Sequence, residues 1–157
     1  MNQQVPGPLP TRLVFLSEVS SLPEGSKVRF LGCISKYTIA TGILNLEHKY
    51  SASLSDQKCF DAISEATIDV DINLLLDSLS HADIDVGNWV NVLGYVRRSY
   101  PVSRLCFQAE TPNKADLDPT VYVEAVMIIP AGAIRLGEYE RVLSESREVE
   151  RRLKTSG

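Results

Sequence analysis

The sequence predicts an all-β domain with appended helices, and three observations indicate this fold class. Residues 26–50 form a long strand, a turn at Thr41 and Gly42, and a second strand, with apolar side chains at alternate positions. Gly32 lies inside the first strand, where a glycine typically marks a bend that lets one strand pair on two sides of a curled sheet. A short helical segment follows the third strand. Together these features predict a five-stranded OB-fold Greek-key barrel with a helix between strands 3 and 4 and a long C-terminal α-helix.

Taken alone, residues 26–50 fit an ordinary hairpin in another β fold equally well. The later elements favour the OB barrel. The third strand, at 66–72, has the clearest alternation in the chain, and it is followed by Asn73 as a helix cap and by a short helix carrying Leu74, Leu75, Leu76 and Leu79. The fourth strand is predicted at 89–98, bent at Gly94, and the fifth at 121–129. The long connection at 99–119 contains a possible extra strand at 104–109.

These elements divide the chain into a flexible N-terminal arm at 1–11, a barrel at 12–132, and an amphipathic helix with a short tail at 133–157. Prolines at 6, 8 and 10 indicate the loose arm, which has neither the basic nor the apolar region of a signal peptide. No apolar run approaches the length of a membrane span. We therefore expect no contact with a membrane.

Composition excludes several classes of site. The three cysteines are widely spaced and only two histidines are present, which fits neither a disulfide framework nor a zinc site. The pairs Asp69/Asp71 and Asp83/Asp85 are predicted to be solvated surface acids. Because the sequence also lacks a nucleophilic triad, a phosphate loop and a nucleotide fingerprint, we expect no cofactor, no metal and no enzymatic activity.

Charge is unevenly distributed along the chain. The net charge of −4 argues against tight nucleic-acid binding by the whole surface, and residues 54–85 are strongly acidic. Bases and aromatic side chains nevertheless alternate at the ends of the first, second and fourth strands, where OB barrels bind single strands. The candidate nucleic-acid-binding residues are Lys36, Tyr37, Lys49, Arg97, Arg98, Tyr100, Arg104 and Phe107. In the alternative interpretation, the aromatic rings pack into the barrel and the arginines only solubilise it.

The C-terminal helix carries an apolar stripe. Its members are Leu136, Tyr139, Val142, Leu143, Val149 and Leu153, with the small Ser146 beside them. A helix of about 22 residues spans about 33 Å, which exceeds the width of a small barrel. Part of the stripe is therefore predicted to meet a partner. The alternative is a helix folded back on its own barrel.

Three sequence phrases carry a family resemblance: EGSKVRFLG at 24–32, WVNVLGYV at 89–96 and IRLGEYERVLSESREVERRL at 134–153. With the predicted strand order, the chain resembles the smallest subunit of the CST telomere-capping complex, called Ten-one, of the fungal type. That family is similar in turn to the smallest subunit of replication protein A.

The resemblance implies a non-catalytic nuclear protein at the telomeric region of chromosomes. It implies a heterodimer with the OB domain of the middle CST subunit through the C-terminal helices, with Arg141 and Arg147 at the rim of the interface. It also implies the large CST subunit as a partner. It also implies binding of single-stranded telomeric DNA as part of the complex and an indirect link to DNA polymerase alpha. Two alternatives remain open: an autonomous single-stranded nucleic-acid-binding protein, and an OB scaffold that contacts only protein.

Overall fold

The computed structural model describes residues 7–49, 65–100 and 118–155. The strands are β1 (Arg12–Leu13), β2 (Lys27–Thr38), β3 (Ile43–Lys49), β4 (Glu65–Asp71), β5 (Trp89–Ser99) and β6 (Thr120–Pro130). The helices are α1 (Leu16–Val19) and α2 (Leu136–Thr155), and two 3-10 turns cover Asn73–Leu75 and His81–Asp83. The possible strand at 104–109 lies outside the described residues, as do residues 50–64 and 101–117.

The strands form a closed barrel. Their order is β1-β2-β3-β4-β6-β5, and an additional pairing between β2 and β5 closes the sheet. The β1–β2 and β4–β6 pairs are parallel, whereas the other pairs are antiparallel. Strands β2 to β6 therefore make the predicted five-stranded OB barrel, and β1 adds a short parallel edge. The predicted fold is confirmed.

Strand β2 belongs to both sides of the barrel. Its residues 27–33 pair with β5 and its residues 33–38 pair with β3. Gly32 lies between the two halves, where an added Cβ would lie 3.0 Å from Leu16 Cδ1 and 3.1 Å from Leu46 Cβ. The register shift itself falls between Ile34 and Lys36. The glycine thus allows α1 and β3 to approach β2, and the bulge follows a few residues later.

The core follows the alternation of the sequence. Buried side chains come from every barrel strand: Val28, Phe30 and Ile34 of β2, Leu44 and Leu46 of β3, Ile68 and Val70 of β4, Val90, Val92 and Val96 of β5, and Val123, Ala125 and Ile128 of β6. Val14, Leu16 and Val19 close one end. Neighbouring positions on these strands therefore face outward, which determines the surfaces that a partner can reach.

The predicted short helix between the third and fourth barrel strands begins at Asn73 as expected, but it takes the form of 3-10 turns. Only the two 3-10 turns form there, and Leu74 is 68% exposed and Leu76 44% exposed. Of the four leucines in this segment, only Leu75 and Leu79 pack against the core, so its apolar side is a single turn long. Ser78 Oγ donates to the Leu75 carbonyl oxygen at 2.9 Å, which is one of the local bonds by which serine competes with helix formation.

Candidate functional site

One face of α2 packs against the barrel. Leu143, near the middle of the helix, is only 2% exposed. Glu140 Oε1 lies 3.0 Å from Nε2 of His48 on β3, which is itself 1% exposed. The other ring nitrogen of His48, Nδ1, lies 3.4 Å from the Leu31 carbonyl oxygen, and the ring meets Trp89 edge-on at 5.2 Å. Because buried polar groups need hydrogen-bond partners, this pairing fixes where α2 crosses the barrel.

Arg147 anchors the following turns of α2. Its Nη2 donates to the Leu13 carbonyl oxygen at 2.6 Å and to Glu18 Oε2 at 3.0 Å. The guanidinium of Arg147 is thus occupied by the chain's own N-terminal segment, and its place at the rim of a partner interface stays a prediction. Arg141 is exposed, and its Nη1 lies 3.4 Å from Glu145 Oε1.

A second face of α2 is left uncovered by the described part of the chain. Val142 and Val149 are each 57% exposed, Leu153 is 71% exposed, and Ser146 between them is exposed as well. We call these four residues the exposed strip. Their spacing of four, three and four residues is the seam spacing of a helix that packs along another helix.

A groove beside the first turns of α2 continues the exposed strip. It has a volume of about 480 Å³, and its lining includes Leu13, Ile134, Tyr139 and Val142. Of the other residues predicted for the interface, Leu136 and Tyr139 are half-buried. Leu143 is buried within the chain itself, so it supports α2 and is not accessible to a partner. The accessible surface is therefore the exposed strip with this groove.

The predicted nucleic-acid-binding residues of β2 and β3 differ in availability. Lys36 is exposed near the end of β2. Tyr37 is half-buried and packs against the core, so its ring contributes to the barrel as the alternative interpretation predicts. Lys49 Nζ lies 3.7 Å from Glu65 Oε1, and both side chains are at least half exposed, so this pair is weak.

The two arginines of β5 are both engaged. Arg97 Nη2 lies 3.0 Å from Glu124 Oε1, and its guanidinium lies 5.6 Å from the centre of the Tyr95 ring. The hydrogen bond with Glu124, and then its charge, raise the pKa of Arg97. Arg98 Nη2 donates to the Leu22 carbonyl oxygen at 3.0 Å, which holds the arginine against the end of the barrel.

The long connection after β5 carries the three remaining candidates. Tyr100 directly follows β5 and is 61% exposed. Arg104 and Phe107 lie outside the described residues. Tyr100 is therefore the one aromatic ring of the candidate set that is shown to be open to a stacked base.

The register separates the basic candidates from one another. Lys36 aligns with Asn45, Asn45 with Asp69, Asp69 with Tyr122, and Tyr122 with Arg97. Strands β3, β4 and β6 thus lie between Lys36 and Arg97 on one side of the barrel. The direct pairing of β2 with β5 joins residues 27–33 to residues 89–95 and includes neither cation, so the two cations do not form one patch.

The outer face of β3 and β4 is acidic. It presents four carboxylates, those of Glu47, Glu65, Asp69 and Asp71, against the single base Lys49. Asn45 Nδ2 donates to Asp69 Oδ1 at 2.7 Å, and the Asn73 amide donates to Asp71 Oδ1 at 2.9 Å, so both aspartates have structural partners. Among the described residues, no group of three or more His, Cys, Asp or Glu side chains is arranged to hold a metal ion. Because nucleic-acid backbones favour positive charge, this face is poorly suited to phosphate binding.

Sequence reasoning missed the His48–Glu140 contact. His48 has the same parity along β3 as the buried Leu44 and Leu46, and this alternation is the signal that identifies it as inward-facing. Glu140 lies outside the predicted apolar stripe, so no comparable sequence pattern pointed to it.

Within the described ranges, no helix is long and apolar enough to cross a membrane.

Comparison with known proteins identifies the family. A family model described as "Ten1: Telomere capping, CST complex subunit" matches residues 1–144. Protein ten1 of Schizosaccharomyces pombe is 29% identical over 87 residues, which cover 55% of this chain and 66% of the relative, slightly less than two thirds of its length.

Two solved structures have a similar fold. One is the crystal structure of the S. pombe Stn1–ten1 complex, with a TM-score of 0.56 and 22% identity over 90% of this chain and 96% of that chain. The other is telomere capping protein Ten1 of S. pombe, with a TM-score of 0.55 and 22% identity over 88% of this chain and 99% of that chain. Since the family model covers the whole barrel and the start of α2, the chain belongs to the Ten1 family of telomere-capping CST complex subunits.

Proposed function

We propose that this chain is a non-catalytic subunit that pairs with the OB domain of the middle CST subunit through α2. The observation that carries the proposal is the exposed strip, whose apolar side chains are open on a helix otherwise fixed to its own barrel. The structure of the related S. pombe chain was solved as an Stn1–ten1 complex, which supports a partner of the same kind here.

The dimensions of the exposed strip suit a partner helix. From Val142 to Leu153 the strip covers three helical turns, or about 16 Å. Seam positions at this spacing insert between side chains of a facing helix. Ion pairs of Arg141 with Glu145 and of Arg152 with Glu148 lie along one edge of the strip and keep that edge polar. An apolar seam beside a polar edge is a pattern that helps to set the register of a helix pair.

Single-stranded telomeric DNA is, in this proposal, bound by the assembled complex in the nucleus, at the telomeric region of chromosomes. The large CST subunit and, indirectly, DNA polymerase alpha belong to the same assembly. This chain contributes Lys36 and Tyr100, which are exposed, and Arg97, whose charge is partly compensated by Glu124. The acidic outer face of β3 and β4 supports the view that the chain alone binds DNA weakly.

A second candidate is a scaffold that contacts only protein, which the acidic face and the engaged arginines favour. Charge reversal distinguishes the two proposals. In the scaffold, Arg97→Glu leaves the affinity of the complex for single-stranded DNA unchanged. If this subunit contacts DNA, the same substitution lowers the affinity and makes it less sensitive to salt.

Light scattering of the purified chain, alone and mixed with a candidate middle subunit, tests the pairing. We expect a 1:1 complex with the wild-type chain and two separate monomers with Val142→Asp/Val149→Asp. The matched control is Ser144→Asp/Arg151→Asp, which places two carboxylates at exposed positions on another side of the same helix. A complex that survives Val142→Asp/Val149→Asp contradicts the proposal. A wild-type monomer that binds a labelled single strand without a partner indicates an autonomous nucleic-acid-binding protein.

A further inference from the structure

A cleft opens in the wall of the barrel between β4 and β6. The two strands pair through residues 69–71 and 122–124, and the part of β4 before Asp69 has no pairing with β6 among the described residues. The cleft lies at this gap, beside the residue that follows α1, and has a volume of about 380 Å³. A strand edge at a cavity presents its backbone groups to whatever enters. The lining residues are Ser20, Asn45, Thr67, Ile68, Asp69 and Val121.

The Asp69 carboxylate is held in one orientation at the cleft. Ser35 Oγ donates to Asn45 Oδ1 at 2.8 Å and to the Asn45 carbonyl oxygen at 3.0 Å. Asn45 Nδ2 in turn donates to Asp69 Oδ1 at 2.7 Å. Because a carboxylate has about four acceptor sites, Asp69 can still accept from a ligand. No lysine or arginine in the described part of the chain forms an ion pair with it.

Apart from Asp69, the lining is neutral and combines polar groups with an apolar wall. Ser20 and Thr67 bring hydroxyl groups, which accept as well as donate. Ile68, 6% exposed, and Val121, which packs against the core, form the apolar wall. A ligand that fits both surfaces has several N–H donors on a charged planar end and an apolar stem. Arginine has this build, with five N–H donors in a fixed fork above a stem of methylene groups.

The charge around the cleft favours a cationic ligand. Glu47, Glu65 and Asp71 lie on the outer face of the same two strands. The one base on that face, Lys49, has its Nζ 3.7 Å from Glu65 Oε1. A metal ion would find too few ligands, since within the described ranges no three His, Cys, Asp or Glu side chains are grouped to hold one. A chain of phosphates would be repelled at the same place.

We propose that this cleft binds the guanidinium group of an arginine in a basic segment of a second partner protein, distinct from the chain that docks on α2. The guanidinium lies against Asp69 in a charge-assisted pair, and the stem packs on Ile68 and Val121. The surrounding carboxylates attract the other cations of the segment. None of the described lining residues belongs to α2, so the inference goes beyond the proposed function and uses no part of the exposed strip.

Nuclear magnetic resonance titration of the full chain with three short peptides tests the cleft. The first is acetyl-Lys-Gly-Arg-Gly-Lys-amide, and the other two carry lysine or citrulline in place of the arginine. We expect the arginine peptide to bind at least about fivefold more tightly than either, because lysine lacks the planar fork and citrulline lacks the charge. The backbone amide signals of Thr67 and Ile68 should shift on binding.

Asp69→Asn tests the carboxylate itself. Asparagine keeps the oxygen that accepts from Asn45 and replaces the other oxygen by an amino group. The arginine peptide should therefore lose its advantage over the lysine peptide, while the thermal unfolding temperature stays unchanged. The matched control is Asp71→Asn, on the same face of β4 but outside the lining of the cleft, which should change the affinity less than about twofold.

The other outcomes are decisive as well. Equal affinities for the arginine and lysine peptides would reduce the cleft to a general acidic surface and overturn the inference. Occupation of the cleft by guanosine in place of the peptide would make it a nucleobase site, which also overturns the inference. If the middle subunit displaces the peptide, the cleft belongs to the heterodimer and the second partner is ruled out. If the arginine peptide binds as expected but Val142→Asp/Val149→Asp leaves pairing intact, the proposed function is wrong and this inference stands.

Discussion

His48 and Glu140 lie 92 residues apart in the sequence, yet Nε2 of the histidine and Oε1 of the glutamate are 3.0 Å apart. The histidine side chain is 1% exposed and the glutamate side chain 15% exposed, so the contact is shielded from water. It joins β3 to α2 and holds the helix in a single position. The orientation of the exposed strip therefore depends on a polar contact on the opposite side of the same helix.

Replacing Glu140 should loosen α2. Glu140→Ala removes a hydrogen-bond partner from the buried His48, and we expect the free energy of unfolding to fall by about 1–3 kcal/mol. Urea unfolding measures the change. The matched control is Glu138→Ala, whose carboxylate is 60% exposed and pairs with the exposed Arg135, and it should cost less than about 0.5 kcal/mol. Equal losses in the two variants would show that the buried contact contributes nothing specific.

Gly94 should tolerate no side chain. A Cβ there would collide with the Glu124 carbonyl oxygen and lie 2.6 Å from Val123 Cγ1, where β5 and β6 shift register. Because backbone has to move, we expect Gly94→Ala to lower the free energy of unfolding by at least about 2 kcal/mol. Gly137→Ala is the control: nothing lies within 4 Å of its added Cβ, and as a helical position it should gain up to about 1 kcal/mol. A neutral Gly94→Ala variant would contradict this account of the bulge.

Cys33 should react slowly with alkylating reagents. Burial raises the pKa of the Cys33 thiol, and the nearby Glu47 carboxylate raises it further. The thiolate is the reactive form, so at pH 8 Cys33 should react more slowly than a free thiol, and the rate should continue to climb as the pH rises beyond the usual thiol range. Glu47→Gln should speed the reaction, whereas Glu65→Gln should not.

The rates are best measured by mass spectrometry in a Cys59→Ser/Cys106→Ser background. A pH profile that coincides with that of glutathione, together with no effect of Glu47→Gln, would show that the environment of Cys33 does not protect it.

The barrel could be predicted because its strands obey a strict period of two. Ile68, Val70 and Ile72 alternate with polar residues and all three are buried, and the length of β2 already indicates pairing on two sides. The segment after β4 was predicted as a short helix at the correct place. Its 3-10 form could not be predicted, because four leucines suggested a helical stripe, whereas only Leu75 and Leu79 pack against the core.

The accessible surface was harder to predict than the fold. Leu143 and Val142 are adjacent and equally apolar, yet one is 2% exposed and the other 57% exposed. Periodicity places both in one stripe, and only the contacts of Glu140 and Arg147 with the barrel determine which edge of the stripe is covered. Contacts between residues so distant in sequence leave no local pattern. For the same reason, the separation of Lys36 from Arg97 in the folded barrel could not be predicted from the sequence.

The two anchors of α2 have a consequence for the kinetics of association. A helix that is already ordered and oriented loses little conformational entropy when a second chain binds it, so more of the contact energy is available as affinity. Binding of this kind needs no folding step, and its rate should follow diffusion and orientation rather than the slow ordering of a segment. Variants that release α2 from His48 or Glu18 would then slow association without altering any atom that the partner touches.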